Sequence, residues 1–266
     1  MGIQHSREEK LAAFGRLLDV MDRLRSECPW DREQTTESLR TNTIEEVYEL
    51  SDAILSGAPE EIKKELGDVL LHVVFYSKIG EEQGAFDVAD VANALCDKLI
   101  FRHPHVYGET EASTSEAVIE RWEELKQKEK NGNKTVLSGV PSSLPALIKA
   151  YRIQDKARGV GFDWQHPEDV WSKVEEELSE LRGAITSGSV EDTEAEFGDF
   201  LFSIINVARK YKVNPDNALE RTNAKFIRRF GYIEARAKEE GRTLKELSLE
   251  EMDALWDEAK KLEAKP

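Results

Sequence analysis

Two acidic motifs with the same internal spacing are the residues of this sequence best suited to chemistry. In the first motif, Glu45, Glu46 and Glu49 are followed after fifteen residues by Glu65 and Asp68. The arrangement returns 131 residues later, and half of the aligned positions in this stretch are identical. The second copy consists of Glu176, Glu177, Glu180, Glu196 and Asp199. A repeat of this kind predicts two copies of one supersecondary unit.

Each motif is typical of two helices joined by a short turn, with carboxylates on one face of each helix. Glu46 and Glu49 lie three residues apart, as do Glu65 and Asp68, and this spacing places each pair on a shared face. Apolar residues flank both pairs, so we expect the carboxylates near the seam where the helices pack. We also expect Gly67 to allow a close approach of the helices. Carboxylates gathered at such a seam repel one another and lose hydration.

A divalent cation would relieve this repulsion, and Mg²⁺ is a hard ion that prefers oxygen ligands. The sequence therefore predicts a magnesium site in each copy. The predicted ligands are the paired carboxylates Glu46, Glu49, Glu65, Asp68, Glu177, Glu180, Glu196 and Asp199. The predicted catalytic set of the second copy is Glu176, Glu177, Glu180, Glu196 and Asp199. Glu176 would orient a water molecule, or it would contact the metal ligands without binding the metal itself. For one motif alone, a solvated acidic face is the alternative.

Composition and charge exclude several classes of function. The chain has 266 residues, with 37 basic and 53 acidic side chains and a net charge of −16. Such acidity argues against binding to a nucleic-acid backbone. No apolar run is long enough to cross a membrane. The two cysteines are too few for a disulfide framework, which indicates a reducing compartment and predicts a cytoplasmic protein.

The spacing of apolar residues predicts an all-α fold built as two tandem helical-bundle domains that arose by internal duplication. A stretch rich in Asn, Gly, Ser and Pro marks the boundary between them. The predicted organisation is a first domain over 1–130, a linker over 131–143 and a second domain over 144–266. Helices are expected over about 7–25, 37–56, 59–83, 88–102, 114–130, 144–158, 167–187, 190–211, 215–240 and 249–263.

Basic and aromatic residues also recur in step with the acidic motifs. Lys98 and Arg102 lie four residues apart after the first copy, and Lys225 and Arg229 repeat this spacing after the second. Each pair shares a helix face, so it could contact phosphate. The last helices of the two copies add Trp122 with Lys126 and, 134 residues later, Trp256 with Lys260. Each Trp is either a core residue or a platform on which a base stacks.

These motifs together resemble the MazG family of all-α nucleoside triphosphate pyrophosphohydrolases. The resemblance spans nearly the whole chain in two copies. Besides the acidic motifs, it rests on the segments Cys28-Pro29-Trp30-Asp31-Arg32-Glu33-Gln34-Thr35, Arg102-His103-Pro104-His105-Val106 and Gly161-Phe162-Asp163-Trp164. It implies a homodimer, and it implies nucleotide contacts by Lys173, Lys225, Arg229 and Trp256. The predicted nucleotide-binding set is completed by Arg228, Lys98, Arg102, Trp122 and Lys126.

The expected activity is the Mg²⁺-dependent hydrolysis of NTPs and dNTPs to monophosphate and pyrophosphate, with broad tolerance for the base. Two or more Mg²⁺ ions per site would bridge carboxylates and phosphate oxygens and activate a water molecule. The first copy has Asn42 where the second has Lys173. The first copy therefore lacks one of the residues that the resemblance implies for phosphate binding.

Two alternatives remain at this point. A di-iron carboxylate bundle would need Glu-x-x-His on two helices, whereas Asp68 and Asp199 occupy the His positions here. A regulatory module would bind nucleotide with one or both sites inactive, and the first copy is the better candidate for that role.

Overall fold

The computed structural model describes residues 4–108, 114, 118, 125, 135–166 and 168–263. The chain divides into two compact units, Met1–Leu125 and Lys126–Pro266. The described residues form helices and turns without any β-strand, which confirms the all-α prediction. The predicted linker over 131–143 falls after this division and stays a prediction.

The first unit contains the two helices that carry the first acidic motif. The helices among its described residues are α1 (Arg7–Glu27), α2 (Pro29–Glu33), α3 (Arg40–Ser56), α4 (Pro59–Glu82), α5 (Val88–Arg102) and α6 (Pro104–Tyr107). The helix α3 packs against α4, and α1 packs on the C-terminal half of α4 through a core of Met21, Leu39, Val74, Phe75 and Ile79. The core thus fixes the pair of helices on which the carboxylates stand. The predicted helix over 114–130 lies almost entirely outside the described residues.

The second unit repeats the central helix pair. Its helices are α7 (Ala146–Arg158), α8 (Asp169–Ser187), α9 (Val190–Lys210), α10 (Pro215–Glu239) and α11 (Leu249–Glu263), with a 3₁₀ turn at Leu244–Glu246. The helix α8 packs against α9 around Val170, Val174 and Val207. A separate cluster of Ile233, Ala237 and Leu247 joins α10 to α11.

The turn between the two motif helices is the same in both units because a glycine ends the first helix of each pair. Gly57 and Gly188 have φ values of 73° and 78°, which is the left-handed region that favours glycine. Pro59 then opens α4, where its missing N–H costs no hydrogen bond. The matching glycine at this turn is therefore explained by backbone geometry.

The expectation for Gly67 is wrong. A Cβ atom placed on Gly67 or on the equivalent Gly198 would meet no other atom within 4 Å, so neither glycine allows a close approach of helices within its unit. Both residues lie on exposed faces of their helices. Within the described part of the chain, no helix combines the length and apolar character needed to cross a bilayer.

Candidate metal and nucleotide site

The first acidic motif forms a cluster between α3 and α4. One carboxylate oxygen from each of Glu46, Glu49 and Glu65 lies within 4.8 Å of the others. Loss of hydration, followed by the negative charges of Asp68, Glu49 and Glu65, raises the pKa of Glu46. Asp68 therefore acts on the cluster through its charge, although it is not one of the three closest groups.

Glu65 is the buried member of this cluster, with 7% of its surface exposed. Its Oε1 atom forms an ion pair with the Nζ atom of the neighbouring Lys64, at a distance of 2.8 Å. Its Oε2 atom is buried and lacks any hydrogen-bond partner within the described part of the chain. A buried, unpaired carboxylate oxygen is costly, and a cation would satisfy it.

The second motif forms the corresponding cluster between α8 and α9. Oxygens from Glu177, Glu196 and Asp199 lie within 4.8 Å of one another, and Glu177 is buried. Loss of hydration, followed by the charges of Glu177 and Glu196, raises the pKa of Glu180. The structure thus brings three of the predicted ligands together, and Glu180 feels the charge of two of them, Glu177 and Glu196.

One lysine neutralises part of the negative charge of each cluster. In the second unit this lysine lies on the first helix of the motif, whereas in the first unit it lies on the second helix of the motif. Lys173 Nζ on α8 lies 2.9 Å from Glu176 Oε1 and 2.7 Å from Glu177 Oε1, and these contacts raise the pKa of the lysine. The first unit has Asn42 at that position, and its lysine is instead Lys64 on α4. The sequence comparison identified the missing cation at Asn42 but not the replacement at Lys64.

The donors of both clusters fit Mg²⁺. They are carboxylate oxygens alone, without nitrogen or sulfur ligands among the described members, and hard divalent ions take such ligands. The first cluster also contains the unpaired Oε2 atom of Glu65. The residues that would hold the ion are Glu46, Glu49 and Glu65 in the first unit and Glu177, Glu196 and Asp199 in the second.

A cavity of about 370 Å³ adjoins the second cluster. Its lining includes Lys173, Glu177 and Asp199 together with the aromatic residues Phe162 and Trp164. The volume falls within the range of about 300–1,000 Å³ that is usual for small-molecule sites. In the first unit, the cavity lined by Met21, Lys78 and Asp87 does not include the acidic cluster.

The loop that carries Phe162 and Trp164 is anchored to the end of α9 by a buried ion pair. The Arg209 guanidinium donates to both carboxylate oxygens of Asp163, at 2.5 and 3.1 Å, and Lys210 Nζ lies 3.0 Å from the same carboxylate. Burial raises the pKa of Asp163, but the hydrogen bonds from Arg209 and Lys210 outweigh burial, and the net shift is downward. In the sequence, Gly161-Phe162-Asp163-Trp164 stands out only through the family resemblance, and nothing there predicts the ion pair of Asp163. The separation of Asp163 from Arg209 by 46 residues hid the pairing.

The predicted nucleotide-binding residues of α10 and α11 form a cluster of their own. Arg228 and Arg229 both pair with Glu263, at 3.4 and 2.8 Å. The Arg229 guanidinium lies 5.5 Å from the ring centre of Trp256, which also packs on the cluster of Ile233, Ala237 and Leu247. None of Lys225, Arg228, Arg229 and Trp256 is among the residues lining the cavity beside Glu177. Their contact with nucleotide stays a prediction.

The basic residues of the first unit stand on α5. Lys98 is exposed and Arg102 is half-buried at the end of that helix. Trp122 and Lys126 lie outside the described residues. The predicted nucleotide contacts of these four residues stay predictions as well.

Comparison with known proteins adds evidence that is independent of this geometry. The model of the MazG nucleotide pyrophosphohydrolase domain matches the chain twice, over residues 34–107 and 165–232. The chain is 45% identical over 250 residues to the nucleoside triphosphate pyrophosphohydrolase/pyrophosphatase MazG of Thermotoga maritima, covering 93% of this chain and 95% of that protein. It is 39% identical over 255 residues to the nucleoside triphosphate pyrophosphohydrolase of Escherichia coli K12, covering 93% of this chain and 97% of that protein. It is also 45% identical over 263 residues to the uncharacterized protein YabN of Bacillus subtilis, covering 97% of this chain and 54% of YabN.

Proposed function

Because the chain belongs to the MazG family, we propose that it hydrolyses nucleoside triphosphates to nucleoside monophosphate and pyrophosphate. The observation that carries this proposal is the second acidic cluster, which shares one cavity with a lysine and two aromatic side chains. Anionic and cationic groups together suit a triphosphate that arrives with a divalent cation, while aromatic rings suit a base.

We propose that the reaction depends on Mg²⁺ held by the carboxylates Glu177, Glu196 and Asp199, with two or more ions per site. When bound, Mg²⁺ would supply Lewis-acid chemistry by drawing charge from the phosphate oxygens. We propose Glu180 as a fourth ligand, because it lies one helical turn from Glu177 and the charges of Glu177 and Glu196 help to raise its pKa.

Lys173 has two roles in this scheme. It pairs with Glu176 and Glu177 in the structure, so it holds the Glu177 carboxylate in place at the edge of the cavity. Lys173 is also one of the residues lining the cavity. A positive charge at the cavity would stabilise the negative charge that builds on the leaving pyrophosphate. Glu176 shares Lys173 with Glu177 and therefore orients the lysine from outside the cluster.

Broad tolerance for the base is part of the proposal, with dNTPs accepted beside NTPs. Phe162 and Trp164 offer aromatic faces, and stacking does not distinguish strongly between bases because every base has a π-face.

The first unit is the candidate for a regulatory site. Its cluster also consists of three carboxylates, Glu46, Glu49 and Glu65, but Asn42 replaces the lysine that lines the cavity of the second unit. Lys64 neutralises Glu65 from the same helix, α4. The first unit would therefore bind a metal–nucleotide complex with little or no turnover.

A homodimer is proposed from the apolar residues left exposed on the motif helices. Leu66, Leu70 and Val73 of α4 are 52%, 39% and 42% exposed, and Phe197 and Leu201 of α9 are 48% and 56% exposed. A second copy packed on such faces would remove them from water. We also propose a cytoplasmic location, since Cys28 and Cys96 are both unpaired. The net charge of −16 supports a function without nucleic-acid partners.

The proposed function is tested by product analysis of NTPs and dNTPs with and without Mg²⁺. We expect pyrophosphate and monophosphate in equal amounts, formed only when Mg²⁺ is present. Orthophosphate as the first product would contradict the proposal, as would undiminished turnover after Mg²⁺ is removed by a chelator.

A further inference from the structure

The stretch of chain before α7 contributes a residue to the wall of the cavity in the second unit. Leu137 lines this cavity together with Ile153 and Ala157 of α7. Leu137 precedes the start of α7, whereas Ile153 and Ala157 lie well inside that helix. The chain must therefore turn back before α7 to bring both to one cavity. We call residues 135–145, which make this turn, the strap. Most of the strap falls in the stretch that the sequence predicts as a linker.

The first half of the strap is a turn held by two hydroxyl side chains. The Thr135 N–H donates to Ser138 Oγ at 3.1 Å, and the Ser138 N–H donates to Thr135 Oγ1 at 3.2 Å. The Ser138 hydroxyl also donates to the carbonyl oxygen of Thr135 at 2.8 Å. Leu137 lies inside this turn, and its carbonyl oxygen accepts a bond from the Val140 N–H at 3.0 Å. Side chains that bond to nearby backbone in this way fix the local conformation, so the backbone that carries Leu137 is held in one shape.

The second half of the strap is anchored to the start of α7. Lys149 Nζ, in the first turns of the helix, donates to the carbonyl oxygen of Ser142 at 2.6 Å. The backbone N–H of Lys149 donates to the carbonyl oxygen of Pro145 at 2.9 Å. Pro141 and Pro145 restrict the backbone further because each proline ring fixes its φ angle. The strap is therefore organised before any ligand binds, and a wall of this kind loses little freedom when it is contacted.

Leu137 remains accessible to water although it lines the cavity. Its exposed fraction is 46%, whereas Ile153 and Ala157 of α7 are half-buried. A single exposed leucine is ordinary on a protein surface. Leu137 differs because it stands on an anchored turn and shares its cavity with Glu177 and Asp199 of the acidic cluster. A ligand that fills this cavity can cover the leucine, and removing apolar surface from water favours binding.

We infer that the strap is a wall of the substrate site in the second unit, where the bound nucleoside triphosphate covers Leu137. Thr135 and Ser138 are then positioning residues, because they hold the turn that carries Leu137 and act on the substrate only through it. The identity of the occupant rests on the proposed function. The inference adds a substrate contact from outside the helices of the acidic motif, in a stretch whose sequence predicts only a connection between domains.

The first experiment shortens the leucine in the full chain. Leu137→Ala should raise KM for ATP by about 3- to 10-fold, because the substrate loses part of the apolar surface that it covers. We expect kcat to stay within about 2-fold, since an aliphatic side chain that contacts ground state and transition state alike affects KM alone. The matched control is Leu249→Ala, because Leu249 is 69% exposed in the same unit and is not among the residues lining the cavity. This control should leave both constants unchanged.

The second experiment loosens the turn without touching the leucine. Thr135→Ala removes the hydroxyl that accepts from the Ser138 N–H, so the strap must be ordered when the substrate binds. We expect KM to rise by about 2- to 10-fold with kcat nearly unchanged. Thr135→Ser keeps the hydroxyl and should restore the wild-type KM. A loss of folded protein would instead lower the apparent kcat and leave KM unchanged, so the two causes are separable.

Binding measured without turnover separates this inference from the proposed function. Calorimetry with Mg²⁺ and α,β-methylene-ATP, whose bridging carbon prevents pyrophosphate release, should show the same 3- to 10-fold weakening in Leu137→Ala. That weakening in a protein that releases no pyrophosphate from ATP would support the strap and refute the hydrolase.

Pyrophosphate release by the wild-type protein, with KM and Kd unchanged in Leu137→Ala, would support the hydrolase and overturn the inference about the strap. An equal change in the Leu249→Ala control would overturn that inference as well. A wild-type protein that neither binds the analogue nor releases pyrophosphate would refute both proposals.

Discussion

The ion pair between Asp163 and Arg209 provides a quantitative test of how the cavity is built. The Arg209 side chain is 5% exposed and that of Asp163 is 16% exposed. Asp163→Asn would leave a buried guanidinium facing a neutral amide. Removing one partner of a buried ion pair costs about 3–5 kcal/mol. Because Asp163 keeps some access to water, we expect a loss of about 3 kcal/mol in the free energy of unfolding of the second unit.

This loss should be visible by differential scanning calorimetry of the full chain. For a unit of this size, 1 kcal/mol shifts Tm by about 3–4 °C, so the transition of the second unit should move down by about 10 °C. The matched control is Glu240→Gln, which breaks two exposed pairs in the same unit, with Arg236 at 3.9 Å and with Arg242 at 3.8 Å. Exposed pairs of this kind contribute at most about 0.5 kcal/mol each, so the control should shift Tm by less than about 4 °C.

A double variant shows whether the cost comes from the unpaired charge. In Asp163→Asn with Arg209→Met, the buried guanidinium that lost its partner is removed as well, so the double variant should be more stable than Asp163→Asn by itself. Destabilisation by the double variant equal to the sum of the two single effects would refute this reasoning. A Tm shift for Asp163→Asn no larger than that of the Glu240→Gln control would refute it as well.

Three further predictions concern the acidic clusters and the helices that carry them. The pKa values of Glu46 and Glu180 are raised from the ordinary 4.5, so the metal-free folded state binds these protons more tightly than the unfolded chain does. The contribution of these groups to the free energy of unfolding is therefore present below pH 4.5 and is lost as pH rises through the raised pKa. Urea unfolding without metal at several pH values should show this loss. The dependence of stability on pH should be weaker in Glu46→Gln. Because protons compete with the ion, calorimetry should show Mg²⁺ affinity falling as pH drops toward 4.5, and a pH-independent affinity would contradict the assignment of the ligands. Finally, a Cβ atom at Gly198 meets open space within the chain, so Ala there favours the helix by up to about 1 kcal/mol. Because we propose that a second copy covers the neighbouring Phe197 and Leu201, Gly198→Ala should still shift the protein toward the monomer in sedimentation, and an unchanged dimer would contradict that interface.

The helices could be predicted from the sequence because their signals are local. Apolar spacing predicts most helix ends to within a few residues. The side chains of Ser6 with Glu9 and of Asp87 with Asp90 form capping boxes at the starts of α1 and α5. The short helix α2 at Pro29–Glu33 lies outside the predicted helices, since five residues are too few to show a period. The same holds for α6 at Pro104–Tyr107, which has only four residues.

The acidic clusters could be located from spacing because paired helices bring such residues together whatever the details of packing. Contacts between distant segments could not be found in this way. The bond between Gln154 and Phe202 spans 48 residues, and it depends on how α7 packs on α9. The role of Gly67 was misjudged for the same reason, because the rotation of a helix about its own axis is set by its whole apolar face and not by one small residue.

Hydrolysis by the second unit is tested most sharply by comparing two isosteric variants in one assay for pyrophosphate release. Glu177→Gln removes a buried ligand from the cluster that adjoins the cavity, and Glu46→Gln makes the same change at the equivalent position of the first unit. We predict that Glu177→Gln lowers kcat by at least about 100-fold with the circular dichroism spectrum unchanged, in line with the loss of a group that acts on the reacting phosphates. Glu46→Gln should keep most of the wild-type kcat. Full activity in Glu177→Gln, or equal loss in both variants, would contradict the assignment of hydrolysis to the second unit.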